Sequence, residues 1–112
     1  MTNVPFTMSV YGGFGECQGL LRPDGDSLLL EYQVQDNVFH MLRGRPKSVR
    51  IPLADLESVE LKGRFFGRTL VLQARSLMSL AQVPNSKQGR VELTIARADV
   101  PAAERLVAGV YE

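Results

Sequence analysis

The sequence predicts a mainly β fold: a curled antiparallel sheet, or partly open barrel, of about six or seven strands, closed by one C-terminal amphipathic helix. Three observations carry that expectation. Stretches between residues 28 and 95 alternate apolar and polar side chains with a period of two, the pattern of strands with one buried face. Clusters of Pro, Gly, Asp and Asn separate them at spacings of about 8–15 residues, as in sandwiches and barrels. From Asp99 the period becomes that of a helix.

In chain order, residues 1–14 read as a lead-in segment, and residues 15–22 as a weak strand. Pro23-Asp24-Gly25-Asp26 has the residues of a tight turn and joins the first two strands. Leu28, Leu30, Tyr32 and Val34 then share one strand face, opposite Leu29, Glu31, Gln33 and Gln35. Residues 36–48, DNVFHMLRGRPKS, fit either a long hairpin that extends two strands or a loop. Val49 and Ile51 alternate with Ser48 and Arg50, and Val59 and Leu61 with Ser58, Glu60 and Lys62. Gly63 to Gly67 forms a five-residue hairpin loop. Leu70, Leu72 and Ala74 mark the next strand, residues 77–83 a second weak one, and Val91, Leu93 and Ile95 the last, with residues 84–89 as a connection before it. Val100, Ala103, Leu106, Val107 and Val110 line one helix face. Asp99 stands where it can cap the first turn, and Pro101 is tolerated because its missing N–H would have no helical partner. At about three turns, such a helix is marginal alone in water and must lie on the sheet.

Length and composition set outer bounds. A chain of 112 residues is one domain (1–112), with the packed part expected over about residues 15–111. The hydrophobic share of 45% and charged share of 22% are those of an ordinary globular protein. No run of about 18 apolar residues occurs, and the N-terminus lacks the basic and apolar regions of a secretory leader. Cys17 is the single cysteine and has no internal partner for a disulfide. The expected setting is cytoplasmic. Charge is unevenly spread: residues 1–42 carry a net −4, residues 43–75 a net +5, and the remainder balances. The basic middle third is either a solvated face or a surface for anions.

Groups for catalysis are sparse. His40 is the one histidine, so a zinc site would need several carboxylates to complete its shell. A Cys17–His40 pair is conceivable, but Cys17 in a first strand reads as a small packing residue. Gly13-Phe14-Gly15 suggests a phosphate loop, yet neither a helix nor a lysine follows it. Asp55 reads as a turn residue, and Glu57 and Glu60 as solvent-facing strand positions. The expectation is no catalytic residue, no metal, no cofactor and no enzyme activity.

The one stretch that suggests contact with a partner is ELKGRFFGRTLVL, residues 60–72. Lys62, Arg64, Phe65, Phe66 and Arg68 cluster on a predicted hairpin tip. Neighbouring side chains on an extended chain point opposite ways, so one ring can pack on the core while the other stays outside. Against an anionic membrane, three cations at about 1 kcal/mol each and one ring at about 2 kcal/mol would total about 5 kcal/mol, a dissociation constant of about 0.2 mM. That is weak for a single tip, and membrane contact would need several copies acting together. The basic residues fall on alternating faces without a nucleic-acid motif, so no specific nucleic-acid partner is expected. Burial of the tip against a second copy is the simpler use, since Arg and Phe suit interface cores.

The segment RIPLADLESVEL, residues 50–61, resembles the basic–Ile–Pro–Leu–x–Asp–Leu–x–x–Val run at the turn into a central strand of bacterial pleckstrin-homology-like (PH-like and GRAM-like) domains. VELTIARADVPAAERLV, residues 91–107, is similar to that group's last strand and helix. The resemblance covers most of residues 15–111. It implies that Pro52 and Asp55 shape a turn, that Ile51, Leu53 and Leu56 bury, and that the chain is a binding or assembly module. In lipid-binding members a basic first hairpin loop clamps an inositol phosphate. Here that loop, Arg22 to Asp26, holds two acids and one base, so phosphoinositide recognition is not expected. The functional expectation is therefore a non-enzymatic module acting by protein–protein contact, with self-association. The alternative is weak membrane or anionic-ligand binding through residues 62–68.

Overall fold

A computed structural model describes residues 2–10, 15–36, 41–63, 67–84 and 86–111. Seven strands, β1 (Val4–Val10), β2 (Gly15–Asp24), β3 (Ser27–Asp36), β4 (Met41–Pro52), β5 (Leu56–Lys62), β6 (Arg68–Ala74) and β7 (Arg90–Ile95), precede one helix, α1 (Val100–Val110). All neighbours pair antiparallel in the order β4-β3-β2-β1-β7-β6-β5. The sheet is not closed, because β4 and β5 are its two ends. The join in the middle is narrow: among the described residues, β1 and β7 share one register pair, Thr7 with Thr94. Two half-sheets, β1–β4 and β7–β5, therefore face each other across one core. Val4, Phe6, Leu21, Leu28, Leu30 and Ile51 come from the first half, and Val59, Leu70, Leu72, Val91, Leu93 and Ile95 from the second.

Residues 4–10, assigned above to a lead-in, are a correction to that reading. They form the central strand, and Val4, Phe6 and Met8 are core residues. Pro5 argues against a central strand. On the β7 side, however, no register pair forms at Pro5, so its missing N–H removes no ladder bond there. The Gly25-Asp26 turn consequently joins β2 to β3, the second and third strands, with Gly25 at φ +63°.

In strand β2, Gly19 lies in one cross-strand row between Phe6 and Tyr32. A Cβ on Gly19 would fall inside the Glu31 carbonyl oxygen and 2.7 Å from Phe6 Cζ. Only glycine allows that approach, and the space it leaves is filled by the Phe6 ring. Strands β3 and β4 pair along nearly their whole length, with residues 37–40 outside the described part. Between Tyr32↔Lys47 and Val34↔Arg43 the register shifts. Gly44, Arg45 and Pro46 thus face Gln33 alone, a bulge in the edge strand.

The corner from β4 to β5 is a short 3-10 turn, Leu53–Asp55. Pro52 leads into it at φ −60°, ψ 135°. The Leu53 N–H donates to Asp26 O (2.9 Å), and the Arg75 N–H to Asp55 O (2.9 Å). Ile51 and Leu56 bury on either side, with Leu53 half-buried. Asp55 lies in the turn and is exposed.

Residues 77–83 are not a strand. Successive bonds from Ser79 N–H to Ser76 O, Ala81 N–H to Met78 O and Val83 N–H to Leu80 O make a run of turns. Leu80 and Val83, three apart, are its buried residues. Spacing by three, not two, was the relevant period there. The return to β7 is a two-residue turn with Gln88 at φ 53° and Gly89 at φ 74°, closed by paired bonds between Lys87 and Arg90.

Helix α1 buries Ala103 and Leu106, with Val100, Val107 and Val110 half-buried, and packs against β5 and β1. Its face is the one the spacing predicts. The cap differs from expectation: Asp99 occupies the cap position, but its side chain makes no cap bond. A 3-10 turn, Arg97–Asp99, leads in instead, with the Asp99 N–H bonded to Ala96 O.

Candidate interaction site

The hairpin loop lies where expected, between β5 and β6. Gly63 (φ +96°) and Gly67 (φ +118°) take the conformations that side chains avoid. Of the five predicted contact residues, Arg64, Phe65 and Phe66 lie outside the described residues, as does His40. Lys62 and Arg68 are described, and they stand on opposite faces of the sheet. Lys62 pairs across with Thr69, on the outer face, and its ammonium meets Glu60 at 3.5 Å. Arg68 pairs across with Ile95, on the core face, at the end of the row that includes Leu70 and Leu72. It is half-buried, and its Nε is enclosed without a hydrogen-bond partner. These two cations therefore do not converge on one surface.

Other cations of the basic middle third are engaged as well. Arg50 donates to Asp24 at 2.6 Å, tying β4 to the β2–β3 turn. Arg75 Nε donates to Ala54 O at 3.1 Å. In the first half, Arg22 meets Glu31 at 3.2 Å. The base of the Arg22–Asp26 loop is thus held by a carboxylate on β3, and one of that loop's acids by Arg50.

Cys17 is fully buried in the core on β2. Burial pushes its thiol up from about 9 to about 11. At neutral pH it is a protonated packing group, as a small apolar residue would be. Among the described residues, no three His, Cys, Asp or Glu side chains converge, and no helix is long and apolar enough to cross a membrane.

The free edge of β5 carries a feature that strand patterns do not reveal. Tyr111, one residue past α1, reaches it with its hydroxyl. The hydroxyl accepts from the Val59 N–H (2.9 Å) and donates to Val59 O (3.2 Å). Both backbone groups point away from β6, and a single O–H satisfies both. Tyr111 as a whole is 60% exposed. It forms one wall of a hollow of about 200 Å³ with Val110, Leu53, Glu57, Ser58 and Arg75. The available signal was helical spacing: Tyr111 follows Val107 by four, so it continues the packed face with a polar tip.

Two further residues were hidden by the mistaken strand at 77–83. Leu77 and Met78 are 68% and 77% exposed at the start of that turn run, an adjacent apolar pair on the surface. No protein-family model, no curated protein and no solved structure matches this chain.

Proposed function

We infer that this chain is a non-enzymatic PH-like interaction module that acts by protein–protein contact, including contact with a second copy of itself. The observation that carries the reading is the open sheet: seven strands end on β4 and β5, and among the described residues neither has a strand beyond it. Unpaired edge N–H and C=O groups are a template for another chain. The exposed Leu77–Met78 pair adds apolar surface of the kind that recognition sites use. The buried, protonated Cys17 supports a packing role for the one thiol.

Sedimentation velocity over a hundredfold concentration range tests this. A sedimentation coefficient that rises with concentration is expected, and a constant monomer value removes the self-association. A parallel run with acidic and neutral lipid vesicles tests anionic-surface binding through residues 62–68. Pelleting with acidic vesicles that is lost in Lys62→Glu would replace the present reading.

A further inference from the structure

The β5 edge is specific about its occupant. Because both backbone groups of Val59 face outward, those of Leu61 face outward too, since alternate residues of an antiparallel strand present both groups to the same side. Tyr111 occupies Val59, and no described residue bonds Leu61 on that side. We propose that this edge is a latent self-association site: β5 of a second copy pairs antiparallel with it in the register centred on Leu61, and Tyr111 is the guard that must leave. The proposal rests on the self-association reading above and names its surface and register.

Charge selects the register. Glu60 and Lys62 lie on the outer face, about half exposed, and pair with each other within the strand. With Leu61 opposite Leu61, each Glu60 stands opposite the partner copy's Lys62, and two cross-strand ion pairs form. Moving the centre to Glu60 would set Glu60 against Glu60, and moving it to Lys62 would set two lysines together. Directly opposed like charges are destabilising. In the favoured register Leu61 exchanges two backbone bonds with its counterpart. The next outward-facing residue is Val59, the one Tyr111 holds. A neighbouring strand there and the Tyr111 hydroxyl compete for the same N–H and C=O, so the clasp sets how readily the edge is offered.

The test is sedimentation equilibrium on the whole chain, wild type and Tyr111→Phe, with Lys62→Glu and Glu60→Lys in the Tyr111→Phe background. Tyr111→Phe keeps the ring and removes the hydroxyl, and is expected to tighten self-association roughly tenfold, the equivalent of one hydrogen-bonded position released. Lys62→Glu and Glu60→Lys, each alone, are expected to lower it by a similar factor. Mixing the two charge variants restores association, because a strand with lysine at both positions then faces a strand with glutamate at both. If association exists but neither Tyr111→Phe nor the charge variants change it, the chain associates through another surface. This inference then falls while the proposed function stands. If no form associates, both fall.

Discussion

The two half-sheets are stabilised by different means. Strands β2, β3 and β4 run 10 to 12 residues and pair along most of that length. Strands β5, β6 and β7 run six or seven. The long half packs tightly across one glycine, Gly19, and carries its own cross-strand ion pairs, Arg22–Glu31 and Arg50–Asp24. The short half is propped from outside by α1, Tyr111 and the turn run that supplies Leu80 and Val83. Their edges differ in the same way. The β4 edge is interrupted by features in its own sequence: a bulge, Pro46 without an N–H, and an exposed Lys47. Such features discourage edge-to-edge pairing. The β5 edge has its own register shift between Leu56 and Ser58, but no proline or bulge from Val59 to its tip, and it is guarded by a residue fifty-two positions away. A guard that is part of the strand cannot be withdrawn, whereas one at the end of a helix can.

The largest expected effect breaks the long half. Gly19→Ala drives a Cβ into the Glu31 carbonyl and the Phe6 ring. Both are held, one by the sheet ladder and the other by the core, so neither gives way cheaply. Overpacking of this kind costs about 3 kcal/mol or more, a large share of the stability of a small domain. Urea unfolding of Gly19→Ala should show a midpoint well below wild type. An unchanged midpoint would mean that the Glu31 carbonyl and the Phe6 ring yield to the added methyl group at little cost.

Next comes the buried thiol of the same half. Its folded pKa is raised to about 11 from about 9, so the folded chain keeps the proton that the unfolded chain releases. This stabilisation is fully present below pH 9 and is lost as pH rises from about 9 to about 11. Two units correspond to about 3 kcal/mol as an upper value. Cys17→Ala should therefore lose less stability than wild type between pH 9 and 11, measured as the difference of their denaturation midpoints. Parallel curves would show that the thiol titrates alike in both states.

The short half yields a smaller change. Tyr111→Phe leaves the Val59 N–H and C=O to water at an edge, at a cost of about 1 kcal/mol. Its sharper signature is local: hydrogen exchange at the Val59 amide should accelerate at least tenfold, while amides of β2 and β3 stay unchanged. Equal acceleration throughout would mean that the clasp supports the whole fold and does not merely cover one edge.

This contrast also explains what the sequence disclosed. Period-two alternation placed β3, β5, β6 and β7, because each has a dry face on the core; Leu28, Leu30, Val91 and Leu93 bury as the pattern requires, and Val71 of β6 is buried on the opposite face as well. The helix face was readable for the same reason. Strand β1 was hidden because Pro5 breaks the local signal, and its acceptability depends on how little of β1 meets β7. Residues 77–83 misled because Leu77, Met78, Leu80 and Val83 are apolar without sharing one face. Tyr111 could be read as a packing residue, but its bond to Val59 is set by where the helix ends relative to an edge, which is a three-dimensional fact. On the hairpin, the sequence located Lys62 and Arg68 at one tip. Cross-strand register then assigned them to opposite faces, through partners that local spacing does not name.

The smallest expected effect lies at the corner where the two halves meet. Arg50 on β4 reaches Asp24 beside the β2–β3 turn at 2.6 Å, with side-chain exposures of 55% and 42%. Its backbone neighbours are already fixed: Ile51 is buried, Pro52 is rigid, and Leu53 is bonded to Asp26 O. The ion pair is therefore added to a corner that other contacts define, and water screens both groups. Arg50→Gln should cost under about 1 kcal/mol, and less still at high salt. A double-mutant cycle with Asp24→Asn measures the pair alone. A coupling well above that value would show that the long half depends on this surface pair to hold its edge strand, and that β4, like β5, is secured by a contact remote in sequence.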